Sequence, residues 1–127
     1  MPLNMNSYAI VDYETGGLGP GCQPLSLGTV IIDPRRLTIA DNGLFYSLIR
    51  PQTDEECEIS GLDPIDPKAL AVNKLNIEDL KMAPTLKTVW ANYMNFMKYH
   101  NIKGDKWNAP IFTGWNAKYD HDITQRV

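Results

Sequence analysis

Apolar residues follow two different periods along the 127-residue chain. Tyr8 to Glu14 (YAIVDYE) is apolar and β-favouring until two acids arrive at its end, and Thr15-Gly16-Gly17 then stops it. Such a run predicts a buried strand leading into a polar site. Leu25 to Asp33 (LSLGTVIID) predicts a second strand broken by Pro34-Arg35-Arg36, and Asn42-Gly43 is a turn signal before a third, Leu44 to Ile49 (LFYSLI). Three strands in close succession predict an antiparallel meander. Pro51 to Pro67 reads as a polar loop in which Asp54, Glu55, Glu56 and Glu58 are solvated; it lacks the ordered ligand pattern of a calcium loop.

The period then changes. Asp66 predicts the cap of a short helix with Pro67 in its first turn, and Asn76 with Asp79 predicts another. From Thr85 to His100, Leu86, Val89, Trp90, Tyr93, Phe96 and Met97 recur at steps of three and four, so one helical stripe is buried against the sheet. Lys103-Gly104-Asp105 ends that helix, and Ala109 to Trp115 (APIFTGW) predicts a fourth strand leading into Asn116 to Val127. The order β-β-β-α-β is a mixed α/β arrangement.

Composition changes this picture little: 43% hydrophobic and 21% charged residues, without repeat, linker or low-complexity tract, predict one globular domain over 1–127. A formal net charge of −3 excludes a basic body that would bind nucleic acid everywhere, so any such contact is local. Charge is uneven, however. Residues 1–80 hold 5 basic and 12 acidic side chains and residues 81–127 hold 7 and 3, a division open to two readings, ordinary surface charge or a phosphate surface beside a metal-binding cluster. No apolar run approaches the roughly 20 residues of a membrane span, and Met1 to Ser7 lacks the regions of a secretory signal. A soluble, cytoplasmic chain with no membrane contact is expected, and the isolated Cys22 and Cys57 are expected to be reduced thiols and not zinc ligands.

Asp12 and Glu14 carry the chemistry. Two apart on a strand, they share a face with Cα atoms about 6.6 Å apart, within reach of divalent ions about 3.5 to 4 Å apart as in two-metal phosphoryl chemistry. Without a cation the two carboxylates repel, although acids at an exposed strand end are also commonly just solvated.

Context decides between these. Asp12-Tyr13-Glu14-Thr15-Gly16-Gly17-Leu18 resembles the first motif, Asp-x-Glu-Thr-Thr-Gly-Leu, of the DnaQ-like (DEDD-type) 3′-to-5′ exonucleases of the ribonuclease-H-like superfamily, with Gly16 in place of the second Thr. Asn116-Ala117-Lys118-Tyr119-Asp120 resembles the second, an Asn-x-x-aromatic-Asp segment opening a helix. The resemblance covers nearly the whole chain. It implies a ribonuclease-H-like mixed sheet, three meandering strands plus a parallel fourth, with packed helices. It also implies that Asp12, Glu14 and Asp120 are catalytic acids holding two Mg²⁺ or Mn²⁺ ions, and that Thr15, Gly17, Leu18 and Asn116 meet a nucleic acid with a free 3′ end, single-stranded DNA or RNA. A glycine-rich turn suits this role because backbone N–H groups can approach a phosphate or sugar, and an exposed Leu can pack on a base.

There are departures. Ser26 stands where many members carry a Glu outside the metal set. The family's third motif, with the last metal-ligand Asp and a His or Tyr base, has no counterpart here and is expected beyond Val127. His100 and His121 lack its spacing; His100 reads as a capping or surface residue and His121 as a helix-face residue, and Asp122 reads as a solvated helix residue in preference to a substitute carboxylate. The resemblance therefore implies a C-terminally truncated nuclease with little or no activity. Apolar surface of the Trp90 helix or the fourth strand is expected to be uncovered, with homodimerisation through it. The alternative function is a non-catalytic nucleic-acid- or protein-binding module on the same fold.

Overall fold

The first strand shows how the pattern becomes structure. A computed structural model describes residues 6–101 and 109–114, and in it β1 spans Tyr8–Thr15. Ala9, Val11, Tyr13 and Thr15 are buried, whereas Tyr8, Ile10 and Asp12 are exposed and Glu14 is half-buried. Successive side chains point to opposite faces of a strand. The segment read as a buried strand thus has one covered face and one open face, and both acids stand on the open one.

β2 spans Pro24–Asp33 and β3 spans Thr38–Leu48. Their connection is made by Asp33, whose carboxylate accepts the backbone N–H of Arg35 at 2.8 Å and of Arg36 at 3.3 Å, while Leu37, at φ 55°, donates its N–H to the Asp33 carbonyl at 2.8 Å. Those two amides hold the Asp33 carboxyl below its ordinary pKa. β3 therefore starts at Thr38, earlier than the predicted Leu44, and Asn42-Gly43 lies inside the strand and is not its preceding turn. Asn42 has φ 55°, and a Cβ at Gly43 would stand 2.7 Å from the Ala40 carbonyl oxygen and 3.1 Å from that of Ile31. Glycine is required there by the approach of backbone to backbone, a role that local sequence cannot distinguish from a turn.

The acidic stretch expected as a loop contains α1, Asp54–Ser60. Thr53 and Glu56 form a capping box: the Thr53 N–H donates to Glu56 Oε1 at 3.1 Å and the Glu56 N–H to Thr53 Oγ1 at 3.2 Å. Asp54, Glu55 and Glu56 fall in the first turn, where the helix dipole favours negative charge. The predicted caps of the next two helices form: Asp66 accepts the Lys68 N–H ahead of α2, Pro67–Asn73, and Asn76 accepts the Glu78 N–H ahead of α3, Ile77–Lys81. α4 is Leu86–His100 and β4 is Ile111–Thr113, shorter than the predicted Ala109 to Trp115. Lys103-Gly104-Asp105 and the chain from Trp115 to Val127 lie outside the described residues.

The four strands form one mixed sheet in the order β3-β2-β1-β4. β4 is parallel to β1, with Tyr8 opposite Ile111, Ala9 opposite Phe112 and Ile10 opposite Thr113. A parallel neighbour needs a long crossover, here supplied by the helical segments. The mixed sheet implied by the ribonuclease-H-like resemblance is the sheet observed.

The chain divides into two compact units, 1–12 with 28–46 and 90–127, and 13–27 with 47–89. In the first, Thr29 Oγ1 donates to the buried Tyr93 hydroxyl at 3.0 Å, and Phe45 stands with its ring centroid 5.2 Å from Tyr93 and 5.4 Å from Phe96. Burial raises the Tyr93 pKa, opposed by the Thr29 hydrogen bond. In the second, Leu25, Leu27, Ile49, Cys57, Leu80, Ala83 and Val89 are buried, and Arg50 ties its N–H to the Pro84 carbonyl and its Nε to that of Ala83. Every predicted apolar position of α4 is buried or half-buried, so that stripe is covered; exposed apolar side chains occur elsewhere, on the sheet at Tyr8, Ile10, Leu44, Tyr46 and Ile111 and on helices at Ile59, Val72 and Tyr99. Cys22 and Cys57 are both buried and form no disulfide. No helix among the described residues is long and apolar enough to cross a membrane.

Tyr93→Phe leaves the buried Thr29 hydroxyl without this partner and is expected to cost about 1–3 kcal/mol in urea unfolding, with most of the loss recovered by adding Thr29→Val. An unchanged midpoint would show that the pair contributes nothing. Burial, reinforced by the charge of Asp54, pushes the Cys57 thiol above its ordinary pKa. At about pH 8 it should alkylate with iodoacetamide at least about tenfold more slowly in the native chain than after unfolding; equal rates would contradict that environment.

Candidate metal and nucleotide site

Asp12 and Glu14 belong to one regular strand, so their Cα atoms are about 6.6 Å apart and their carboxylates share the open face of β1. Asp12 is exposed and Glu14 half-buried. The Glu14 N–H donates to Ser26 Oγ at 3.3 Å, and Ser26 is buried. The residue that replaces the common Glu of the resembling family therefore fixes backbone and offers no further charge. Carboxylate oxygens are hard ligands, the donor type that Mg²⁺ and Mn²⁺ take, and two on one face gain most from a cation that cancels their repulsion. The donor set fits such an ion. Among the described residues, however, no group of three or more His, Cys, Asp or Glu side chains is gathered to hold a metal. Asp120 and Asn116 lie outside the described residues, as do His121 and Asp122.

Immediately after the acids the chain makes a turn that is pinned along its length. Thr15 Oγ1 donates to the Gly17 carbonyl at 2.9 Å, the Gly16 N–H donates to the Gln23 carbonyl at 2.9 Å, and the Cys22 N–H donates to the Gly19 carbonyl at 3.1 Å. A second segment, 61–73, grips it from outside. The Asp66 N–H donates to the Gly16 carbonyl at 2.7 Å, the Asp63 N–H to the Gly21 carbonyl at 2.9 Å, and Asn73 Nδ2 to the Thr15 carbonyl at 3.0 Å. A Cβ at Gly19 or Gly21 would lie 3.1 to 3.2 Å from the nearest Asp63 carboxylate oxygen, so the glycines let that side chain rest on the turn.

This arrangement separates the predicted substrate residues. The Thr15 hydroxyl is turned inward and closes the turn, and Gly17 receives it. Leu18 is 98% exposed, so it is not a core residue. An apolar side chain held fully in water on a pinned loop is available to a flat apolar partner such as a nucleobase. His100 closes α4, with Nε2 3.0 Å from the Asn42 carbonyl and its ring against Phe96, consistent with a structural role. Gln23, Asp63, Asp66 and Asn73 were not legible as residues that shape the turn, because Gly61 to Pro67 (GLDPIDP) has the composition of any loop and carries no sign of the backbone it binds.

No family model and no curated protein matches the sequence. Solved structures do match the fold. E. coli exonuclease I in complex with a dT13 oligonucleotide superposes with a TM-score of 0.67 at 13% identity, over 94% of this chain and 23% of that one. Cell-death related nuclease 4 superposes with a TM-score of 0.64 at 13% identity, over 87% and 34%. A full-length 3′-exonuclease superposes with a TM-score of 0.59 at 15% identity, over 74% and 29%. The chain thus spans between 23% and 34% of the length of these proteins. At such identities the likeness speaks for architecture alone: the sheet order β3-β2-β1-β4 with its parallel β1/β4 pair belongs to a fold that this chain shares with these nucleases.

Proposed function

We propose that the chain is a metal-dependent 3′-to-5′ exonuclease domain that acts on the phosphodiester at a free 3′ end of single-stranded nucleic acid. One observation carries this reading: Asp12 and Glu14 share the open face of β1, and the turn that follows directly presents Leu18 to solvent. Exonuclease I, whose fold this chain shares, has been captured with dT13 and with dA16 oligonucleotides, which supports a single-stranded ligand.

In this reading Asp12 and Glu14, joined by Asp120, hold the cations. Bound Mg²⁺ or Mn²⁺ supplies a water of lowered pKa and charge stabilisation for the departing 3′ oxygen. The chain's own groups orient the substrate. Gly17 allows backbone to approach the terminal sugar and phosphate, Leu18 packs on the last base, and Asn116 adds a polar contact. The non-catalytic binding module is distinguished by the metal, which it does not need.

Manganese binding followed by electron paramagnetic resonance is expected to weaken at least about tenfold in Asp12→Ala and in Glu14→Ala, with unchanged circular dichroism. Equal affinity in wild type and both variants would overturn the reading. Leu18→Ala should weaken binding of a single-stranded oligonucleotide by about threefold to tenfold, in fluorescence anisotropy with Mn²⁺ present, and should do so only when the 3′ end is free. The same loss with a 3′-blocked oligonucleotide would remove Leu18 from the 3′-terminal contact.

A further inference from the structure

Gln23 is 3% exposed, and its side-chain amide engages both as donor and as acceptor. Nε2 donates to the Asp63 carbonyl at 3.1 Å and to Cys57 Sγ at 3.7 Å, and Oε1 accepts the Gln52 N–H at 2.8 Å. Its own carbonyl accepts the Gly16 N–H. One residue therefore joins the start of β2, the turn after β1, the approach to α1, α1 itself and the 61–66 segment. A buried amide needs such partners, because each one left unmade costs desolvation that water cannot return. An apolar residue of the same volume would fill the space but would leave the Asp63 carbonyl and the Gln52 N–H without these bonds.

The bonds run in sequence toward Leu18. Gln23 holds the Asp63 carbonyl, the Asp63 N–H holds the Gly21 carbonyl, and the Asp63 carboxylate lies over Gly19 and Gly21. These glycines and Gly17 flank the exposed Leu18. We infer that Gln23 is a positioning residue for the 3′-terminal nucleotide, setting through Asp63 the height of the turn 17–21 and so the place of Leu18. This rests on the nuclease reading, in which Leu18 meets the terminal base.

Two measurements separate the inference from that reading. In Gln23→Leu, hydrogen exchange at the Gly16, Cys22, Gln52 and Asp63 amides should quicken about tenfold or more, while amides of α4 stay as protected as in wild type. Affinity for a 5′-labelled single-stranded oligonucleotide with Mn²⁺ should fall about as far as in Leu18→Ala, and the double variant should be no weaker than Leu18→Ala alone, because both act at one contact. Gln23→Glu provides the rescue. It keeps the acceptor for Gln52, and it regains a donor for Asp63 only when protonated, so loop protection factors should recover from about pH 8 toward about pH 6 in this variant and not in wild type. Additive losses in the double variant, quickened exchange with unchanged affinity, or exchange that rises equally in α4 would each overturn the positioning role. A wild-type chain that binds no oligonucleotide would sink the nuclease reading itself and the inference with it, with exchange at the turn unaffected by that result.

Discussion

The alternation of side chains along β1 is the constraint from which the candidate site follows. A strand whose odd positions, Ala9, Val11, Tyr13 and Thr15, are buried must turn its even positions outward, and those are Tyr8, Ile10, Asp12 and Glu14. Shifting the register by one residue would bury two carboxylates and expose the core side chains, at a cost no single domain tolerates. Burial of one face therefore fixes where the acids stand as firmly as any contact they make themselves.

A second layer of order lies in the turn after the strand. A glycine-rich loop by itself is conformationally free, and its ordering costs entropy. Here the cost is offset by hydrogen bonds from a segment more than forty residues later, through Asp63, Asp66 and Asn73, and by the buried amide of Gln23. The result is a loop of small residues with a defined path that carries one large apolar side chain in water, at Leu18. Preorganisation of this kind lowers the ordering cost of any contact that the loop makes. Ser26 adds to the same effect, since its hydroxyl holds the Glu14 backbone.

Much of the architecture was legible from periodicity. The strand starts at Tyr8 and near Leu25, the caps at Asp66 and Asn76, and the stripe from Leu86 to Met97 all depend on neighbours within one or two turns of chain, and the structure holds them close to where the pattern put them. Asn42-Gly43 misled for a physical reason: the pair permits positive φ, and both a hairpin turn and an irregular strand require it. The acids from Asp54 to Glu58 misled differently, since a dense negative run suits a solvated loop and a helix N-terminus alike. The capping box of Thr53 with Glu56 selects the second.

What sequence alone determined, then, is what short range controls: the caps of α2 and α3, the covered stripe of α4, and the pairing of Asp12 with Glu14 on one face, because each follows from local capping or from the period of a strand or a helix. Tertiary structure decided the rest. It made one face of β1 open and not both buried, brought β4 parallel to β1, and set Gln23 and the 61–66 segment against the turn that bears Leu18. Most of these relations join residues tens of positions apart through hydrogen bonds in which at least one partner is a backbone group, and a backbone group carries the same donor and acceptor in every residue but proline, so no side-chain pattern announces its partner.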